Sequence, residues 1–175
     1  MSAPATTPSS LQTTRRHTEL DSPLGPLTVV ADGDAIVGLY FPGHLRRPAV
    51  DTFGPRTDRG FDEVRRQLAD YLAGTRTAFD LPLAPVGDAF RQLVWTLLRQ
   101  IPYGETRTYG QLATALGDRN LAQAVGSANA LNPISIIVPC HRVVAANGDL
   151  TGFAGGLERK RWLLDLETRD GVRLF

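Results

Sequence analysis

The sequence predicts two units in series: a small α/β unit, then a mostly α-helical unit carrying a helix-turn-helix. Three observations predict it. Two strand-like runs, Leu27 to Ala31 and Ala35 to Phe41, flank Asp32-Gly33-Asp34, which is a hairpin signal. A Pro- and Gly-containing stretch around Pro85 marks a boundary. Beyond it, helical patterns follow one another with short Gly-containing breaks.

Residues 1–16 are rich in Ser, Thr, Pro and Ala and lack an apolar core after a basic start, so they read as a disordered tail and not as a signal peptide. Residues 17–85 form the expected first unit. Pro23 to Pro26 make a turn, and the hairpin follows. Residues 44–60, rich in Pro and Arg, are expected as loop. Phe61 to Ala73 place Phe61, Val64, Leu68 and Tyr71/Leu72 at helical spacing, with Gly74 as the stop. Ala78 to Gly87 read as a short extended segment and linker.

Residues 86–175 form the second unit. Asp88 to Gln100 are amphipathic, with Phe90, Leu93, Val94 and Leu97/Leu98 as the expected apolar face. After the turn Ile101 to Glu105, a short helix runs from Tyr109 to Leu116 and stops at Gly117. Asp118-Arg119-Asn120 connect it to Leu121–Leu131, a helix rich in small residues. Helix, Gly-containing turn, helix is the pattern of a helix-turn-helix, although most such pairs are plain αα-corners. Ile134 to Val138 are expected as a buried strand-like run. A turn at Ala145 to Gly148, a Gly-rich loop at Phe153 to Gly156 and a final helix over 157–168 complete the chain.

Composition narrows the function. With 42% hydrophobic and 21% charged residues the chain is not disordered as a whole, and no apolar run approaches the roughly 20 residues of a membrane span. A net charge of +1 argues only weakly against nucleic acid, because one basic face suffices. A single cysteine forms no internal disulfide and alone makes no zinc site, and His17, His44 and His141 are scattered. The expectation is a cytoplasmic protein without metal or cofactor.

Cys140, that single cysteine, ends the apolar run and is followed by His141 and Arg142. A lone cysteine is ordinarily a small buried hydrophobe. Polar residues flanking the end of a core segment point instead to a nucleophile, which needs a base or positive field to attack as thiolate. His141 is the candidate base. In extended chain it would face away from Cys140, so contact needs a turn or a bridging water. Either Glu167 or Asp165 on the last helix could orient it.

The stretch Asn132 to Val144, Asn-Pro-Ile-Ser-Ile-Ile-Val-Pro-Cys-His-Arg-Val-Val, resembles the active-site signature of O6-alkylguanine-DNA alkyltransferases. The likeness extends through Ile101 to Thr106, Thr108 to Ala113, Ala124 to Gly126 and Gly155 to Lys160, covering about residues 90–167; in the first half only Ser22 to Leu27 match well. It implies a ribonuclease H-like first unit and a winged-helix-like second one. It also implies stoichiometric, irreversible transfer of the alkyl group from O6-alkylguanine, and by extension O4-alkylthymine, in duplex DNA to Cys140.

By the same resemblance, His141 is the water-bridged base, Glu167 orients it and Asn132 braces the turn before the active-site segment. Tyr109 crowds the target phosphate, promotes flipping of the nucleotide out of the duplex and donates to guanine N3. Carbonyls of Cys140 and Val143 accept from the guanine amine. Phe153 and Ala154 wall the pocket, with Lys160 close by, and Arg142 is structural. The small residues Ala124, Gly126, Ser127 and Ala128 let their helix enter the minor groove. The implied partner is duplex DNA carrying alkylated guanine, with self-association along DNA as a further family trait.

Three positions depart from the family pattern. Gln123 stands where an arginine usually enters the base stack, and a glutamine lacks that charge and planar stack. Weaker or slower flipping is expected, with Arg119 the nearest candidate to compensate. Phe153 replaces a common tyrosine, and Ala154 a serine found in some relatives. Two other readings differ in class. A non-catalytic lesion binder would lack Cys140. A cysteine hydrolase would need an oxyanion hole and would leave the helix-turn-helix unexplained.

Overall fold

In the computed structural model, which describes residues 14–172, an antiparallel three-stranded sheet β1 (Arg15–Leu20), β2 (Leu27–Asp32) and β3 (Ala35–Tyr40) opens the chain in the order β1-β2-β3. The hairpin is where Asp-Gly places it: Asp32 pairs with Ala35, and Gly33 takes the positive φ of 59° that the tight turn requires. Residues 1–13 of the expected tail lie outside the described residues. Strand β1 begins at Arg15, inside the segment expected as tail. Its Arg-Arg-His-Thr-Glu-Leu sequence has no clean apolar alternation, and its outer edge is covered by residues 55–57: His17 N–H donates to Pro55 O, and Thr57 N–H to His17 O.

Strand β2 is buried on both faces. Leu27, Val29 and Ala31 join the main core, while Val30 meets Val37, Tyr40 and Phe53 on the other side. Helix α1 (Asp62–Leu72) packs Val64, Leu68 and Tyr71 inward, as its spacing predicts. The extended segment beyond it reaches β3, where Ile36 N–H donates to Pro82 O and Ala84 N–H to Ile36 O.

Helix α2 (Ala89–Arg99) is capped by the Asp88 side chain, which accepts from Arg91 N–H at 2.9 Å. Its inner face is Val94, Trp95 and Leu98. Leu93, expected inside, is 56% exposed: the broader stripe is centred one residue later, because Trp95 takes the core position and donates its indole N–H to Ala128 O at 2.9 Å. Helix α3 (Tyr109–Ala115) starts at a reciprocal Thr108/Gln111 capping box. A 3-10 turn (Arg119–Leu121) leads into α4 (Ala122–Ala130), and the two helices pack as a helix-turn-helix.

The run Ile134 to Val138 is buried but is not a strand. Only Ile134 bridges to β3, through Leu39; then the chain coils through turns, with Ile136 in the left-handed region at φ 72°. Continuous apolar runs do not distinguish strand from buried turn. A 3-10 helix (Cys140–Arg142) follows, and Val143–Val144 (β5) pairs in parallel with Arg107–Thr108 (β4). Helix α5 (Leu157–Val172) closes the chain. One continuous hydrophobic cluster runs from Leu20 to Leu163 and so spans both units. No helix among the described residues is long and apolar enough to cross a membrane.

Candidate active site

The first unit holds the active-site segment by backbone bonds. Leu39 N–H of β3 donates to Pro133 O at 2.8 Å, and Ser135 N–H donates back to Leu39 O at 3.2 Å. From that anchor the turn is braced by Asn132, which is buried. Its amide donates to Val138 O at 2.8 Å, and its carbonyl oxygen accepts from Ile134 N–H at 3.0 Å. Satisfying these inward-facing backbone groups lets a buried chain depart from regular structure without orphaned donors. Cys140 N–H then donates to Val138 O at 2.8 Å, and the 3-10 turn begins.

Cys140 and His141 lie in this helical turn and not in extended chain. Cys140 is 4% exposed and His141 is fully buried. His141 Nε2 meets Glu167 Oε1 at 2.8 Å, whereas Asp165 lies on the exposed side of α5. With Nε2–H donating to Glu167, the tautomer leaves Nδ1 as the acceptor, and Nδ1 has no protein partner among the described residues. Arg142 holds Glu167 by Nε to Oε2 at 2.9 Å and Nη2 to Oε1 at 2.8 Å, and reaches Ile101 O with Nη1 at 2.6 Å. Its role is therefore to fix the carboxylate, in keeping with the structural part expected for it.

Electrostatics follow from burial and these partners. Burial pushes the Cys140 thiol up, opposed by the Asn132 side chain and the Lys160 charge. Burial lowers the His141 pKa, and Arg142 and Lys160 lower it further against the raising effect of Glu167. Both shifts favour the uncharged forms, thiol and imidazole. Glu167, despite a burial effect in the opposite direction, is brought down to about 2 by His141 and Arg142.

Lys160 is buried and joins two loops, donating to Val143 O at 2.6 Å and Thr151 O at 2.7 Å; burial lowers its pKa to about 8. Val143 is fully buried, and its carbonyl keeps a second lone pair for another donor. Phe153 packs edge-on against Phe41 with ring centroids 5.7 Å apart, and a Cβ at Gly155 would run into the Phe41 ring. Tyr109 is half-buried at the start of α3, its hydroxyl donating to Thr151 O at 3.1 Å.

Helix α4 has two faces. Val125, Ala128 and Asn129 point inward; Gln123, Ala124 and Ser127 are exposed. Ala128 is thus a core residue, contrary to the expectation that it lines the outer face, since it sits three residues beyond Val125 on the same helix side. Gln123, Gly126, Ser127 and Tyr109 line one open cavity of about 510 Å³ together with Gly152 and Arg46. Arg119 is exposed on the turn before α4 and is not part of that lining.

Three residues escaped the sequence reading. Tyr71, from α1, donates its hydroxyl to Glu167 Oε1 at 2.6 Å and lies 3.4 Å from His141 Nε2. In sequence it is only one more apolar position of a helix, 96 residues from its partner. Asn129 donates to Cys140 O at 3.4 Å, and its i+4 spacing from Val125 was the available sign. Arg46 belongs to a stretch read as plain loop. Among the described residues no group of three His, Cys, Asp or Glu is placed to hold a metal ion.

Residues 89–169 match the family model described as 6-O-methylguanine DNA methyltransferase, DNA binding domain, and residues 16–85 match its ribonuclease-like domain. The methylated-DNA–protein-cysteine methyltransferase of Methanosarcina acetivorans is 46% identical over 147 residues, 84% of this chain and 94% of that one. Its counterpart in Mycobacterium bovis is 48% identical over 149 residues, 85% and 89% of the two chains. The crystal structure of Mycobacterium tuberculosis O6-methylguanine methyltransferase superposes with a TM-score of 0.82 at 44% identity, covering 89% of this chain and 93% of that one. The Mycobacterium tuberculosis OGT structure in complex with DNA gives 0.83 at 46% identity, with 88% and 93% covered.

Proposed function

The chain belongs to the 6-O-methylguanine DNA methyltransferase family, and we propose that Cys140 is the residue on which it carries out that family's reaction. It is a methylated-DNA–protein-cysteine methyltransferase, which repairs DNA by direct reversal, moving an alkyl group from the DNA to a cysteine of its own. The division of labour follows the boundary near residue 85: residues 17–85 support the site, and residues 86–175 bind DNA and accept the alkyl group.

The observation that carries the assignment is the buried series Cys140, His141, Glu167, with His141 Nε2 committed to Glu167 at 2.8 Å and Nδ1 left to take a proton. The Cys140 sulfur attacks the alkyl carbon of O6-alkylguanine in line with its bond to oxygen. The S–C bond forms as the C–O6 bond breaks, and the thiol proton passes to His141 Nδ1, directly or through a water. Glu167 stabilises the imidazolium that forms. Tyr109 exchanges its contact with Thr151 for guanine N3, so the leaving guanine is neutralised. Phe153, Ala154, Val143 O and Lys160 frame the base. The S–C bond formed is that of a stable thioether, which has a poor leaving group, so each molecule acts once. O4-alkylthymine presents the same alkyl–oxygen bond and is the second substrate.

The target atom lies inside a duplex, so the nucleotide must be flipped out. The small residues Ala124 and Ser127, both exposed, and Gly126, half-buried between them, allow α4 to approach the minor groove, with Gln123 filling the gap left in the stack and Arg119 at its edge. Self-association along the DNA is the further partner this reading includes. The test uses a duplex labelled on the O6-methyl group of one guanine. Label is expected on the wild-type protein and absent from Cys140→Ser, which should still bind the duplex. Label on the serine variant would overturn the assignment.

A further inference from the structure

We propose that Arg46, from the first unit, binds a DNA backbone phosphate at the mouth of the cavity that holds Gln123 and Tyr109, supplying the positive charge that Gln123 lacks. The proposal rests on the reading above that this face binds DNA. Arg46 is exposed and lines the same cavity as Tyr109, Gln123, Ser127 and Gly152, and it is the one charged residue in that lining. A cavity with polar and small walls and a single cation is complementary to a phosphate.

The loop presents Arg46 in a defined way. His44 N–H donates to Phe41 O at 3.2 Å and Arg47 N–H to His44 O at 3.4 Å, which closes a turn with Arg46 inside it. His44 is buried, stacked on Phe41 with centroids 6.3 Å apart and edge-on to Tyr40 at 5.2 Å. Leu45 N–H donates to Ala154 O at 3.0 Å, tying the turn to the loop that walls the alkyl pocket. Arg46 itself adopts φ 59°, a left-handed conformation unfavourable for a residue with a Cβ. Such outliers at a cavity mouth point to a constraint from function.

Its neighbours are committed elsewhere. Arg47 lies over the Phe53 ring at 5.7 Å, and Arg159 donates to Leu24 O, Pro42 O and Gly155 O. No hydrogen bond or ion pair engages the Arg46 guanidinium among the described residues. Arg119, the candidate compensator in sequence, stands outside the cavity.

The test is the affinity of wild type, Arg46→Gln, Arg46→Lys and Arg46→Gly for an undamaged duplex, measured by fluorescence anisotropy across a salt series. Loss of one phosphate contact should reduce the slope of log K against log salt by about 0.9 in the Gln and Gly variants and leave it unchanged in the Lys variant. Arg46→Gly also relieves the left-handed strain, so its thermal midpoint should hold or rise while its DNA affinity falls. Slopes equal to wild type in Gln and Gly would overturn the proposal. Failure of the wild type to accept an alkyl group would instead strike the reading of Cys140, and the salt slopes would still decide the role of Arg46.

Discussion

Replacing Glu167 by glutamine removes one half of a buried ion pair and the anchor of His141. Arg142 meets both carboxylate oxygens, at 2.9 and 2.8 Å, and Tyr71 and His141 share Oε1. Stranding one member of a buried pair costs about 3–5 kcal/mol. A second route gives a similar figure. The Glu167 carboxyl falls from 4.5 to about 2 on folding, and at about 1.36 kcal/mol per unit this amounts to about 3 kcal/mol. The folded value is the depressed one, so this stability is fully present above pH 4.5 and is lost as pH falls from there through about 2. Urea unfolding near neutral pH should therefore show Glu167→Gln less stable by about 3 kcal/mol or more, a large part of the 5–15 kcal/mol typical of a domain. Between about pH 5 and pH 3 the wild type should lose stability more steeply than the variant, because other carboxylates are common to both. A variant within about 0.5 kcal/mol of wild type, with the same acid slope, would show that the Glu167 carboxylate does not hold this cluster together.

Three further outcomes follow from the same geometry. Asn132→Ala leaves Val138 O and Ile134 N–H without their side-chain partner, and should cost about 2–3 kcal/mol in urea unfolding while slowing alkyl transfer; unchanged stability would show that the turn holds itself. Because burial, Arg142 and Lys160 outweigh Glu167 and lower the His141 pKa, its neutral form persists below the ordinary 6.5. The single-turnover transfer rate should stay flat down to that pH and fall only beneath it, and a rate already halved at 6.5 would contradict this. Gln123→Arg should raise duplex affinity and the single-turnover rate at limiting DNA, and no gain in either would mean that Gln123 already suffices for flipping.

Much of this architecture was legible because local chemistry and global fold agree. Asp-Gly between β-branched runs gave the hairpin, and the run Tyr109 to Leu116 in front of Gly117 gave α3. Within the candidate site, Cys140 and His141 are adjacent in sequence and declare themselves by residue type, whereas Asn132 is marked only by the family resemblance. The choice of Glu167 over Asp165 depends on which face of α5 turns inward, which needs the packed structure. The coil at 134–138 was hidden because four apolar residues and Ser135 carry no clear period, and Ile136 at φ 72° is not a conformation that isoleucine advertises. Strand β1 was hidden by its polar sequence and is held by pairing on both edges. Tyr71 and Arg46 join the site from the first unit through tertiary contact alone, so no motif near Cys140 could announce them.

The most direct test of the account is the mass of the intact protein, and of the peptide containing Cys140, after incubation with excess duplex carrying a single O6-methylguanine. One methyl group per protein molecule is expected, located on Cys140, with no further turnover when fresh duplex is added. An unmodified Cys140 peptide from protein that nonetheless binds the duplex tightly, or a methyl group on any other residue, would contradict it.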